Sequence, residues 1–145
     1  MTKIEGRWAG EALSLLRIVA AVLFIQHGTG KLFGFPPIGM NPPALSLFWI
    51  AGAIEILGSL LLIAGLASRP VAFLLSGEMA IAYWMVHAPQ STFPIINKGE
   101  SAILFCFVFL LIAAAGPGPW SLDAKRKRQV VVVEDEATGE PMPEG

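Results

Sequence analysis

The chain has 145 residues, of which 54% are hydrophobic and 14% are charged, and its formal net charge at pH 7 is −1. Its mean hydropathy of +0.65 leaves little polar surface for a water-soluble domain of this length. The length allows one domain, and the composition argues against a soluble one.

Four apolar segments follow one another along the chain, separated by stretches that contain proline or glycine. A membrane-spanning helix needs about 20 residues, and helix is favoured over strand because its backbone polar groups are satisfied within the segment. The first two segments are long enough, the third fits, and the fourth is short unless Lys98 to Glu100 begin it. The sequence therefore predicts an all-α fold, an integral membrane four-helix bundle. The segments cover about residues 9–33, 45–67, 71–88 and 101–115.

The predicted organisation is one membrane domain between two terminal segments. Residues 1–8 are expected to form an N-terminal cytoplasmic segment, residues 9–120 the four-helix domain, and residues 121–145 a basic and then acidic, disordered cytoplasmic tail. Two alternatives stay open. The first apolar segment also has features of a cleaved signal peptide, although it is long and no A-x-A-like site follows it. A soluble helical bundle is the other alternative.

Lysine and arginine are distributed unevenly about the predicted segments, and this bias indicates orientation in the membrane. Both termini are expected to face the cytoplasm, because most of the basic residues between and beyond the segments would lie on that side. The cytoplasmic set is Lys3, Arg7, Arg69 and Lys125 to Arg128, and the opposite set is Lys31 and Lys98.

Ionisable side chains occur in or at the ends of all four predicted helices. Such a group costs about 3 kcal/mol at the centre of a membrane helix, so these side chains are expected to face protein and to have partners. At about 1.5 Å per residue they fall into two layers, and in the first helix a rotation of about 100° per residue puts its three charged or imidazole side chains on one face. The predicted inner cluster is Arg17, Glu55 and Glu78, and the predicted outer pocket is His27, Lys31, His87 and Glu100.

Specific contacts follow from these layers. Arg17 is expected to pair with one glutamate of the inner cluster and to leave the other, by hypothesis Glu78, largely protonated at pH 7. Lys31 and Glu100 are expected to lie within reach of each other. Glu78 and His87 fall on opposite faces of an ideal helix, so this helix is expected to bend, or His87 to lie already in the loop. A structural role, in which the charges only fix helix packing, stays open.

Other motifs restrict the function less. The single Cys106 excludes an intrachain disulfide and a dithiol redox mechanism within this chain. The sequence GTGK at 28–31 lacks the preceding strand and the following Ser or Thr of a phosphate-binding loop. The glycines of the second apolar segment favour close helix packing, and the basic run 125–128 favours contact with anionic lipid rather than nucleic acid. No metal site is expected.

The segments resemble the DoxX family of small membrane proteins. The family's opening helix is similar to LLRIVAAVLFIQHGTGKLFGF, its second helix and turn to IAGAIEILGSLLLIAGLASRP, and the remainder to GEMAIAYWMVHAPQSTFPIINKGESAILFCFVFLLIAAAGPGPWSLD. The resemblance covers about residues 13–123. Glu78 matches a subset of the family only. The other matched family positions are Arg17, His27, Lys31, Glu55, His87 and Glu100.

The resemblance implies a four-helix protein of the bacterial inner membrane. The founding members are named for a subunit of a thiosulfate:quinone oxidoreductase, and other members resemble membrane partners in thiol or oxidative-stress pathways. Membership does not fix a catalytic activity. The chain has no motif for flavin, haem or an iron–sulfur cluster. The cofactor is not identified by the sequence, and the resemblance implies a quinone as the candidate.

Two functions follow from the residues and the resemblance together. A quinone-interacting redox subunit would hold the quinone head group in the outer pocket, with Tyr83 or Trp84 alongside, since quinone reduction takes up protons. A non-catalytic membrane partner would recruit or stabilise other proteins, and its buried charges would only fix packing. A proton-coupled carrier is a third function and would need an oligomer. The expected partners are the lipid bilayer and other membrane or redox proteins or further copies of this chain, not nucleic acid.

Overall fold

The computed structural model describes residues 3–138, and the side chains of residues 8–130. The described chain is all-helical and contains no strand, which confirms the predicted all-α class. The helix over residues 68–82 continues without a break into a π-helical turn, Tyr83–His87. The helices are α1 (Lys3–Phe33), α2 (Leu47–Ala64), α3 (Ser68–Ala82), the short α4 (Pro94–Asn97), α5 (Glu100–Ala115) and α6 (Leu122–Thr138).

The ends of α2 follow from its flanking residues. The Ser46 hydroxyl accepts a hydrogen bond from the Trp49 N–H at 3.3 Å and caps the first turn. Gly65 ends the helix with φ +69°, a left-handed conformation that a residue without a Cβ adopts readily.

The four predicted apolar segments correspond to α1, α2, α3 with its π turn, and α5.

The tail differs from the predicted disorder. Its first part is helix α6, Leu122–Thr138, because this stretch is rich in Ala, Lys, Arg, Gln and Glu, which favour helix. The remaining tail residues, 139–145, lie outside the described residues.

Helices α1, α2, α3 and α5 pack in a ring, α1 on α2, α2 on α3, α3 on α5 and α5 on α1. Aromatic side chains fill the contact between α1 and α5, where the ring centroids of Phe24 and Phe109 are 4.9 Å apart. Glycines bring α2 close to its neighbours, since a Cβ at Gly58 would lie 2.9 Å from a methyl of Leu75. The buried apolar core consists of Ala20, Ala21, Phe24, Leu62, Ala72, Leu75, Met79, Ala102, Phe109 and Ile112.

The outer surface of this ring is strongly apolar. Residues 8–33 and 47–64 are long and apolar enough to cross a membrane, yet only 28% of each apolar window is buried inside the protein. Their remaining apolar side chains point outward, which a soluble domain does not tolerate over so large an area. Exposed apolar residues of the four helices include Val22, Leu23, Leu57, Leu60, Phe73, Ile81, Leu104, Phe107 and Leu111.

One end of the ring, which we call the basal end, is where α2 and α5 end and α3 begins. Here charged side chains bind the free backbone groups of helix ends. Arg69 donates to the carbonyls of Ala113 and Ala114 at the end of α5, at 3.0 and 2.6 Å. The opposite end, where α1 ends and α5 begins, is the distal end.

Asp123 caps the basal end of α3. Its two carboxylate oxygens accept hydrogen bonds from the Ala67 and Ser68 N–H groups at 2.9 and 2.8 Å. Partial burial acts to raise the pKa of Asp123, but these hydrogen bonds, with the nearby charge of Arg126, bring the pKa below its ordinary value. The chain after α5 is thereby fixed to the start of α3.

Candidate functional site

An ion pair joins α1 to α2 in the distal half of the ring. The Lys31 amino group donates to Oε1 of Glu55 at 2.5 Å, and the side chains are 13% and 1% exposed. Lys31 lies in the last turn of α1, whereas Glu55 lies about 12 Å from the start of α2 at about 1.5 Å per residue. The flexible lysine side chain therefore reaches inward from the distal end to a buried carboxylate.

Two glycines permit this pairing. A Cβ at Gly28 would lie 2.6 Å from the carbonyl oxygen of Gly52, so only glycine allows α1 and α2 to cross this closely. A Cβ at Gly52 would lie 3.0 Å from Cβ of Lys31, which puts the lysine backbone directly over this crossing. Close packing at small residues is typical of helices in lipid.

Glu78 of α3 completes a three-residue charged cluster with this pair. Glu78 lies near enough to Glu55 and Lys31 for their charges to act on it. Both of its carboxyl oxygens are buried without a hydrogen-bond partner among the described residues, as is Oε2 of Glu55. Ser59, one helical turn after Glu55, is fully buried and its hydroxyl also lacks a partner within that part of the chain. We call Lys31, Glu55, Ser59 and Glu78 the central cluster.

Arg17 is not part of this cluster, and the predicted pairing of Arg17 with Glu55 or Glu78 is wrong. Its fully buried guanidinium donates to backbone carbonyls: Nε to Pro117 at 2.9 Å, Nη1 to Ile63 at 3.1 Å and to Leu62, and Nη2 to Trp120 at 2.6 Å. These carbonyls belong to the end of α2 and to the segment after α5. A helix carboxyl end carries unpaired acceptors and partial negative charge, which suits a guanidinium.

The physical reason for this correction is depth. The Leu62 carbonyl lies seven residues after Glu55, so Arg17 is roughly 10 Å from that carboxylate along α2. The α1 helix begins before the ring, at Lys3, and this shifts Arg17 to the basal end. Carbonyl partners have no side-chain signature, so sequence reasoning had no direct way to name them.

His87 lies at the distal end, in the π turn that follows α3. Its Nδ1 is 2.9 Å from the carbonyl oxygen of Asn97, and its ring stacks on Tyr83 at 6.4 Å between centroids. The π turn, with the Ala88 N–H bonded to the Tyr83 carbonyl at 2.9 Å, changes the helical repeat between Glu78 and His87. The irregularity expected in this helix is therefore a π turn.

Asn97 is a structural residue that the sequence analysis missed. It is 2% exposed, its amide donates to the Ser91 carbonyl at 2.8 Å, and its side-chain oxygen accepts from the Gly99 N–H at 2.7 Å. Asparagine before Lys-Gly is a common turn signal, which is the clue that the sequence contained. Asn97 orders the loop that holds His87.

Glu100 is exposed at the first turn of α5. Among the described residues Lys31 forms its ion pair with Glu55 and none with Glu100, so the predicted contact between Lys31 and Glu100 is not formed. Helical angles predicted that Lys31 lies on the inward face of α1. An angle alone does not say whether its side chain contacts α2 or α5. His27 and Lys31 lie one turn apart on α1, and among the described residues no hydrogen bond or ion pair joins either of them to His87 or Glu100.

His27 borders a crevice between α1, the loop after α1, and α5. Its ring contacts those of Phe24 and Phe105 at 5.9 and 5.8 Å between centroids. Within residues 8–130 neither ring nitrogen of His27 makes a hydrogen bond, so both are available to a ligand. The adjacent Gln26 amide donates to the Val22 carbonyl at 3.3 Å, which leaves its oxygen as an acceptor. The crevice has a volume of about 310 Å³ and is lined by Leu23, Gln26, His27, Pro36, Ile38 and Phe105.

Comparisons with known proteins agree with this architecture. An uncharacterized protein of Haemophilus influenzae is 44% identical over 119 residues, which cover 78% of this chain and 89% of that protein. No solved structure matches the chain. The DoxX family model matches residues 12–88, which cover most of α1 and all of α2, α3 and the π turn and include every member of the central cluster. Together with the two long apolar helices, this match indicates a membrane protein, and the chain belongs to the DoxX family.

Proposed function

We propose that the chain is a multi-pass protein of the bacterial inner membrane that binds the ring of a quinone in the His27 crevice, as a membrane subunit of a redox pathway. The four spans are α1, α2, α3 with its π turn, and α5. The apolar outer surface of the ring and the basic residues at its basal end support this placement, with both termini in the cytoplasm.

The crevice carries the quinone proposal. A quinone is a flat ring with two carbonyl acceptors and an apolar tail. The His27 imidazole supplies an N–H donor, Phe105 a face for stacking, and exposed Leu23 a path for the tail toward lipid. The volume of about 310 Å³ is at the lower limit of ordinary small-molecule sites, which suits a head group better than a whole ligand.

The experiment is quinone analysis of the protein purified in mild detergent. We expect co-purifying quinone, identified by mass spectrometry, and at least a tenfold loss of it in Phe105→Ala, since stacking and ring contacts contribute roughly 1.5 kcal/mol or more. Phe107→Ala is the matched control, because Phe107 lies on the same helix but is exposed outside the crevice. Equal retention in both variants, or no quinone in the unmodified protein, would exclude the crevice as the site.

A second function, that of a non-catalytic membrane partner, is favoured by the basal end. Arg17, Arg69 and Asp123 all bind backbone groups there, so these charges stabilise the ring rather than act on a substrate. Mass spectrometry of proteins that co-purify in the same preparation separates the two functions. A stoichiometric protein partner without quinone would favour the partner function over quinone binding.

A further inference from the structure

We propose that Lys31, Glu55 and Glu78 form a buried site for one exchangeable proton, which resides on Glu78. This inference does not rest on quinone binding in the His27 crevice. It concerns side chains of α1, α2 and α3.

Unpaired buried oxygens are concentrated at this site. The described residues contain five buried side-chain polar atoms without a hydrogen-bond partner, and four of them belong to Glu55, Ser59 and Glu78. Glu55 is 1% exposed and Ser59 is fully buried. Because buried polar atoms are nearly always hydrogen-bonded, such a concentration indicates a missing donor.

The charges of the central cluster point to the same conclusion. Lys31 contributes one positive charge, and two ionised glutamates would contribute two negative ones, which leaves one negative charge unbalanced in a medium that disfavours it. One proton neutralises this charge and also supplies an O–H donor. Lys31 is bonded to Glu55 at 2.5 Å, so Glu55 keeps its charge and Glu78 takes the proton.

The groups around Glu78 do not supply another counter-charge. On α1 the cation that acts on Glu78 is Lys31, which is already paired with Glu55. The titratable groups of α5 are Glu100, exposed at its first turn, and Cys106, whose Sγ lies 3.6 Å from the Ser76 hydroxyl of α3. Arg17 is bound to carbonyls at the basal end.

A proton fits this site better than a divalent metal ion does. A divalent ion beside Lys31 and two carboxylates would leave excess positive charge. The described residues also contain no group of three or more His, Cys, Asp or Glu side chains that could hold a metal. A sodium ion would balance the charge as a proton does, so the experiment must distinguish the two.

The test is infrared difference spectroscopy of the full-length protein in lipid nanodiscs, titrated from about pH 5 to about pH 9 in potassium buffer. We expect the carbonyl band of a protonated carboxyl to disappear as the pH rises, with an amplitude of about one carboxyl per chain. The band should be absent in Glu78→Gln and unchanged in Glu100→Gln, a matched control at the exposed start of α5. In Lys31→Met it should grow about twofold, because Glu55 loses its cation and also binds a proton.

Three outcomes would overturn the proposal, and the first needs no variant to fold. The first is that the unmodified protein shows no titrating carboxyl band. The second is that the band persists in Glu78→Gln. The third is that replacement of potassium by sodium at constant pH abolishes the band, in which case the ligand is a sodium ion rather than a proton.

Discussion

The amino group of Lys31 lies 2.5 Å from Oε1 of Glu55, across the crossing of α1 and α2 and 24 residues apart in sequence. The pair is nearly inaccessible to solvent, and it is formed where glycines at 28 and 52 let α1 and α2 touch. This contact joins packing and electrostatics, since moving the helices apart also separates the charges.

Removing one partner of this pair should destabilise the protein strongly. In Lys31→Met the buried Glu55 carboxyl loses its cation and has to bind a proton to become neutral, and removing one partner of a buried pair costs about 3–5 kcal/mol. The double variant Lys31→Met/Glu55→Leu should recover most of this loss, because neither charge remains. Thermal unfolding in detergent compares the stability of the unmodified protein, Lys31→Met and the double variant. A double variant no more stable than Lys31→Met would contradict the pairing.

Gly28→Ala should lower the unfolding temperature. Its added Cβ would lie 2.6 Å from the Gly52 carbonyl oxygen, a backbone atom that moves only if α1 and α2 separate. Gly77→Ala is the control, because Gly77 is also a helical glycine but has nothing within 4 Å of an added Cβ. This control should be neutral or more stable by about 0.5–1 kcal/mol. Equal effects of the two substitutions would show that the crossing is not tight.

Arg17→Lys should destabilise the basal end although it keeps the positive charge. Arg17 donates to carbonyls of α2 and of the segment after α5 with three separate nitrogens, and a single ammonium group cannot span these positions. Arg69→Lys is the control, since Arg69 binds the end of α5 while exposed. We expect Arg17→Lys to lower the free energy of unfolding by about 2 kcal/mol or more, and Arg69→Lys to lower it by less than about 1 kcal/mol. The same small loss in both would mean that Arg17 does not hold these segments together.

The Asp123 cap should give a pH-dependent contribution to stability. The pKa of Asp123 in the folded protein is lowered from 3.8. The stabilisation by the cap is therefore fully present above the pKa of Asp123 in the unfolded chain, and it is lost as the pH falls through the pKa in the folded protein. At neutral pH Asp123→Ala should cost about 1 kcal/mol, as for other helix caps. The difference in unfolding temperature from the unmodified protein should shrink below about pH 4. A difference independent of pH would indicate that the carboxylate charge plays no part.

The sequence analysis located the helices better than the contacts between charges. Apolar length and the flanking glycines and prolines specify α1, α2, α3 and α5, because burial and backbone satisfaction act on whole segments. The partner of Arg17 was missed because backbone carbonyls occur at every residue. The partner of Lys31 was missed because the choice between α2 and α5 depends on where Gly28 and Gly52 let helices meet.

The irregular turn before His87 was only partly predictable. Glu78 and His87 are nine residues apart, so a regular helix would put their side chains on opposite faces. This spacing indicated an irregular helix, but it did not distinguish a bend from a π turn. That choice depends on the contacts of Tyr83 and Asn97 at the distal end, which form only in the folded chain.

The central claim is a four-span membrane bundle with both termini in the cytoplasm, and reporter fusions test it most directly. Alkaline phosphatase, active only outside the cytoplasm, and green fluorescent protein, fluorescent inside, are fused in parallel after Gly39, Leu66, Ser91 and Asp123. The account predicts phosphatase activity after Gly39 and Ser91, and fluorescence after Leu66 and Asp123. Phosphatase activity after Asp123, or the same signal at Gly39 and Leu66, would contradict it.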